Sequence, residues 1–157
     1  MIDRLISSDD HVVEPPQLWT ERVPEVERAS LPHVRRVGDA DRWIVDGRAT
    51  ASFAPGLNAG RRFDAPTELR TEGRFDEVRA GAYDPRQHVA DNASDGVEGA
   101  VLYPTLGLSL FRAIKAGPVL DRVCRIYNDW MAEFCAGSGG RLKGVAMLNV
   151  EDPAVAV

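Results

Sequence analysis

The densest polar cluster in the chain is Ser7-Ser8-Asp9-Asp10-His11-Val12-Val13-Glu14-Pro15. It follows directly on residues 3–8, where Leu5 and Ile6 predict a first strand. Side chains alternate along a strand, so Asp9 and His11 are expected on one side, about 7 Å apart at roughly 3.3 Å of rise per residue. That separation suits two ligands of one ion. A carboxylate oxygen and an imidazole nitrogen both hold zinc or manganese, at about 2.0–2.2 Å. In α/β sheets the ligand crevice lies beyond the carboxyl ends of the strands, where this pair falls. Glu14 is three residues further on and can serve as a third ligand, a proton carrier or a group that orients the others. The competing reading gives Asp9 and Asp10 a capping or turn role. Two ligands do not close a site, because catalytic zinc takes about three from the protein. The other histidines, His33 in a charged irregular stretch and His88 within a helix, read as surface residues.

The elements that must position this cluster are clearest in the second half of the chain. Asp84-Pro85 is a helix start, and the helix is expected to run to about Asp95, where Gly96 ends it. Val97-Glu98-Gly99-Ala100-Val101-Leu102-Tyr103 has the length of a buried strand, stopped by Pro104-Thr105. Residues 106–117 read as a loop or broken helical turn. Pro118 then opens a strongly periodic helix with Val119, Leu120, Val123, Ile126, Tyr127, Trp130, Met131 and Phe134 on one face. Gly137-Ser138-Gly139-Gly140 terminates it, and residues 142–150 form a second apolar run of strand length. The order helix, strand, helix, strand predicts parallel strands and an α/β fold. Asp152-Pro153 repeats the helix start about one turn before the last residue, which reads as the N-terminal part of a longer protein.

The first half is less regular. Pro15-Pro16 fixes an extended or turning backbone, and a long excursion with little apolar periodicity follows. Within it Trp43-Ile44-Val45-Asp46-Gly47-Arg48-Ala49-Thr50 carries the Asp-Gly signal of a tight hairpin, and Arg35-Arg36-Val37 reads as a further short strand. Residues 51–79 read as surface loop.

Composition bounds the function classes. The chain has 157 residues, 44% apolar and 27% charged, with a formal net charge of -5. That is one globular domain at most. No apolar run approaches the roughly 20 residues of a bilayer span, and the opening residues do not form a signal peptide, so the expectation is a cytoplasmic protein that does not engage membranes. Arginines alternate with acids and make no basic stripe, so nucleic acid is not an expected partner. Cys124 and Cys135 lack paired spacing and read as small buried hydrophobes. Phosphate-loop, nucleophile-elbow and dinucleotide motifs are missing.

The segment Ile6-Ser7-Ser8-Asp9-Asp10-His11-Val12-Val13-Glu14-Pro15-Pro16-Gln17-Leu18-Trp19 resembles the opening of the amidohydrolase-related family. This is the branch of the metal-dependent amidohydrolase superfamily that includes aminocarboxymuconate semialdehyde decarboxylase. Val101-Leu102-Tyr103-Pro104-Thr105, Tyr127-Asn128-Asp129-Trp130 and Arg141-Leu142-Lys143-Gly144-Val145-Ala146-Met147-Leu148 are similar to later stretches of the same family. The resemblance implies the N-terminal portion of a (β/α)8 TIM-type barrel. Residues 1–157 would hold about the first three barrel strands, with residues 20–83 as a long insertion containing the hairpin. Such barrels take about 250 residues. It further implies a divalent metal, zinc first and manganese second, held by Asp9 and His11. Asp9 stands where several relatives carry His or Glu, and the later ligands and the proton-moving aspartate have no counterpart in this sequence. Tyr103 is placed to touch substrate, Trp130 is expected in the core, and Asn128 and Asp129 are expected to anchor a neighbouring loop. The implied activity is metal-assisted hydrolysis or non-oxidative decarboxylation of a small carboxylic acid or related substrate, with these residues alone inert. Exposed barrel edges would favour a homo-oligomer. The contrasting reading is a small non-catalytic α/β binding or interaction domain, in which the acidic residues form a solvated turn.

Overall fold

The computed structural model describes residues 4–60, 65–115, 117–151 and 153. Strand β1 (Leu5–His11) opens the chain, and a single helical turn, α1 (Glu25–Arg28), follows. Three short strands, β2 (His33–Val37), β3 (Ala40–Val45) and β4 (Arg48–Ser52), then form an antiparallel sheet of their own in the order β2-β3-β4. The β3–β4 turn is the Asp-Gly pair read from the sequence. Asp46 at φ 50° and Gly47 at φ 72° supply the two left-handed residues that let a two-residue turn match the strand twist.

Residues 51–79 are more than surface loop. They contain the short helix α2 (Ala54–Asn58) and 3-10 turns at Pro66–Glu68 and Phe75–Glu77; a third, Ala80–Ala82, follows. Phe53, Leu57 and Val78 are buried in the core. The segment evades a periodicity reading because each short turn inserts one or two apolar side chains rather than a stripe. An aromatic chain runs through it, Trp19 edge-on to Trp43, then Phe53, Phe75 and Tyr83, with successive ring centroids 4.8–5.7 Å apart.

Helix α3 (Pro85–Ser94) begins where the sequence places it. The Asp84 carboxylate accepts the N–H groups of Arg86 and Gln87 at 2.8 and 2.9 Å. Asp84→Ala is therefore expected to lower stability by about 1 kcal/mol, with Asp84→Asn close to wild type, both read as shifts in the urea midpoint. Strand β5 (Val97–Tyr103) follows, parallel to β1, with Asp10 opposite Leu102 and His11 opposite Tyr103. Within residues 106–117, read as a loop or broken helical turn, the short helix α4 (Gly107–Ala113) forms. The long helix α5 (Pro118–Ala136) buries the expected face, Trp130 included, except Val119, which stays exposed.

Strand β6 (Leu142–Gly144) completes a parallel sheet in the order β1-β5-β6, but is shorter than the 142–150 run. The reason is local. Asn128 on α5 donates its Nδ2 to the Met147 carbonyl at 2.9 Å and accepts the Met147 N–H at 2.8 Å, so a side-chain amide takes the place of a strand partner. Close approach also matters at Gly99, where an added Cβ would stand 2.8 Å from the Arg141 carbonyl that pairs with Ala100. Cys124 is buried and Cys135 half-buried. The Asp152-Pro153 helix start depends on Asp152 and residues 154–157, outside the described residues. Among the described residues no helix is long and apolar enough to cross a membrane.

Candidate metal centre at the end of the first strand

The structure brings three of the four singled-out residues together. His11 Nε2 stands 3.5 Å from Asp9 Oδ1, and the His11 ring lies beside Tyr103, with centroids 5.9 Å apart and planes at 37°. All three sit at the carboxyl ends of the adjacent parallel strands β1 and β5. The Val12 N–H donates to the Tyr103 carbonyl at 3.1 Å and extends the pairing past the cluster.

The His11 ring is oriented from behind. Its Nδ1 lies 3.1 Å from the carbonyl of Pro104, an acceptor only, so Nδ1 carries the proton and Nε2 keeps its lone pair when the ring is neutral. A ring N–H held by a backbone carbonyl is the usual support of a metal-ligating imidazole. The open lone pair faces the side of Asp9, and both side chains are accessible, at 42% and 80% exposure. Two donors of the right chemistry therefore fit part of a zinc or manganese site. Among the described residues no group of three or more His, Cys, Asp or Glu side chains could hold an ion.

Glu14 is engaged elsewhere. It is 1% exposed, and its two carboxylate oxygens accept the N–H groups of Leu106 and Gly107 at 2.9 Å each, at the start of α4. Burial pushes its carboxyl above the ordinary range, opposed by these backbone donors. It borders a cavity of about 280 Å³ together with Trp43, Phe53, Thr105 and Ser109.

His88 is not the surface residue its helical context implies. It is 6% exposed, with Nδ1 2.7 Å from the Gly81 carbonyl, Nε2 3.1 Å from Asp10 Oδ2, and the Phe134 ring edge-on at 6.0 Å. With both ring nitrogens facing acceptors, the doubly protonated imidazolium satisfies both. Burial pulls the His88 pKa down, but the Asp10 hydrogen bond and charge outweigh it and hold it above its ordinary value. Burial likewise raises Asp10, and His88, the His11 N–H and Asn92 together bring it below the ordinary value. The sequence signal for this pair was the composition of α3. A helix packed on a sheet with Val89 as its one large apolar residue must bury polar groups, and His88 and Asn92 are four apart on one face. His33 is half-buried, with Nδ1 2.9 Å from the Leu31 carbonyl, and takes no part in the cluster.

No family model matches the chain, and no curated protein does. A solved structure does: a crystal structure of an amidohydrolase from Mycobacterium avium subsp. paratuberculosis K-10 is similar with a TM-score of 0.75 at 18% sequence identity. The similarity covers 99% of this chain and 45% of that one. The chain thus spans less than half the length of that protein, and its α/β architecture with a parallel sheet matches part of that protein's fold.

Proposed function

We propose that this chain is the N-terminal part of a metal-dependent hydrolase or non-oxidative decarboxylase built on a (β/α)8 barrel, with Asp9 and His11 as its first two metal ligands. The observation that carries the reading is the geometry of His11: Nδ1 held at the Pro104 carbonyl and Nε2 turned toward the Asp9 carboxylate 3.5 Å away, at the strand end. The fold likeness to an amidohydrolase supports the barrel, as does the sheet, whose β1 and β6 strands both lack an outer neighbour among the described residues.

The division of labour follows from position. A bound divalent ion, zinc first and manganese second, supplies Lewis acidity, polarising a substrate carboxylate or carbonyl or lowering the pKa of a water. Asp9 and His11 hold it. The Pro104 carbonyl fixes the His11 tautomer, and Tyr103 walls the pair on the β5 side, where its ring meets a small carboxylic acid substrate. The further ligands and the proton-moving group belong to the remainder of the longer protein. Leu5 and Ile6 on β1, and Leu148 and Val150 after β6, are exposed apolar residues at the flanks. In the isolated chain these edges favour homo-oligomers.

Calorimetric titration with zinc and with manganese tests the reading, on the chain and on the longer protein. Binding is expected to be weak in the chain, tight in the longer protein, and lost in Asp9→Ala and His11→Ala. Binding that survives both substitutions, or a longer protein that binds neither ion, would overturn it.

A further inference from the structure

We propose that His88 is a positioning residue for the Asp9–His11 pair, acting through Asp10. This inference rests on the functional reading above for its purpose, but the clamp itself is geometric.

Strand β1 leaves its register with β5 between Ser7 and Asp10, so Asp9 sits in an irregularity that the ladder does not fix. Pairing resumes at Asp10, opposite Leu102, and at His11, opposite Tyr103. What holds Asp10 therefore sets the backbone from which Asp9 and His11 project. Beyond the ladder, Asp10 is held through its carboxylate. One carboxylate oxygen, Oδ1, accepts the His11 N–H at 2.8 Å, and the other, Oδ2, faces His88 Nε2 at 3.1 Å and Asn92 Nδ2 at 3.5 Å. His88 is itself fixed at its far side by the Gly81 carbonyl at 2.7 Å. The Phe134 ring covers it, and the adjacent Ala82 carbonyl accepts the Val13 N–H at 2.8 Å. The imidazole thus joins three segments: helix α3, the 3-10 turn Ala80–Ala82 and the end of β1.

Asp10 points to the α3 side of the strand, while Asp9 and His11 meet each other at 3.5 Å. A rotation of the backbone at Asp10 would carry His11 Nδ1 off the Pro104 carbonyl, and the tautomer that leaves Nε2 bare would no longer be selected. The hydrogen-bond and ring partners of His88 are Gly81, Asp10 and Phe134, not Asp9 or the His11 ring. Its effect is transmitted through one carboxylate and one backbone N–H.

The test is made on the whole chain without metal, by NMR of ¹⁵N-labelled histidine at about pH 8, above the ordinary imidazole range near 6.5. In the wild type, His11 is expected as the single Nδ1–H tautomer. His88→Ala and Asp10→Ala break the clamp from opposite sides. Each is expected to move the His11 ring signals toward a mixture of both tautomers and to shift the His11 amide proton upfield. His88→Gln, whose amide can still donate to Asp10, is expected to recover most of the wild-type signal. A role in packing alone predicts lower stability with His11 signals unchanged, and that result in any folded variant overturns the proposal. A mixed His11 tautomer in the wild type overturns it as well. Failure of the zinc and manganese titration would instead remove the metal reading and leave the clamp standing.

Discussion

Replacing Trp19 with alanine is expected to cost the chain about 3–5 kcal/mol, the range for truncating a large buried aromatic. Trp19 is fully buried, meets Trp43 edge-on at 5.4 Å and 77°, and donates its indole N–H to the Val123 carbonyl on α5 at 3.0 Å. It therefore joins the long helix to the antiparallel sheet, which lies outside the parallel one. Against a total stability of about 5–15 kcal/mol for a domain of ordinary size, the loss is a large fraction. With a urea m-value of about 1–3 kcal/mol/M, the midpoint should fall by about 2 M. Trp19→Phe keeps most of the area and loses the indole donor, so a smaller fall is expected. A Trp19→Ala midpoint within about 0.5 M of wild type would mean that the two sheets do not depend on this contact.

The same residue shows why the first half of the chain was hard to read. Trp19, Trp43, Phe53 and Val78 meet in one core, yet in the sequence they fall on four separate short segments with no shared periodicity. No window of a dozen residues contains the pattern, because the packing is between windows. The second half was legible for the opposite reason. Asp84 and Gly96 bracket α3, the run Val97–Tyr103 is continuous, and the stripe on α5 repeats at three and four residues. Where that half misled, a side chain had replaced a backbone partner. Asn128 takes both backbone groups of Met147, and β6 stops at Gly144.

At the candidate centre, strand alternation was enough to place Asp9 beside His11, because their proximity is local. The supports of that pair were not legible. The Pro104 carbonyl is 93 residues from His11 in the sequence, and His88 is 78 from Asp10. Such long-range partners are set by the crossover through α3 and the pairing of β1 with β5, neither of which a residue pattern specifies. Glu14 illustrates the limit. Its spacing from His11 suggested a part in the chemistry, whereas its oxygens are spent on the backbone at the start of α4.

That arrangement makes Glu14 the second site where a single change should act strongly. Helix α4 has no capping side chain of its own, since Leu106 occupies the position before its first residue. The Glu14 carboxylate substitutes from 92 residues away, and a negative charge there also complements the helix dipole. Glu14→Gln presents an amide N–H₂ to one of two backbone donors and removes the charge. A loss of about 1–3 kcal/mol is expected. Glu14→Ala leaves both donors buried without an acceptor, each at about 1–3 kcal/mol, and should be worse. The pH dependence carries a sign. Burial raises the folded-state pKa of Glu14 above its ordinary 4.5, so the folded chain binds more protons than the unfolded one between 4.5 and that raised value. Wild-type stability contributed by Glu14 is then fully present below 4.5 and falls as pH rises through the folded pKa. The gap between wild type and Glu14→Gln should accordingly narrow as pH increases, measured by urea unfolding at a series of pH values. A gap that widens with pH would mean that the two backbone donors outweigh burial and hold the carboxylate ionised. In either case a large stability loss identifies Glu14 as the tie between the loop that follows β1 and the one that follows β5, from which Pro104 reaches His11.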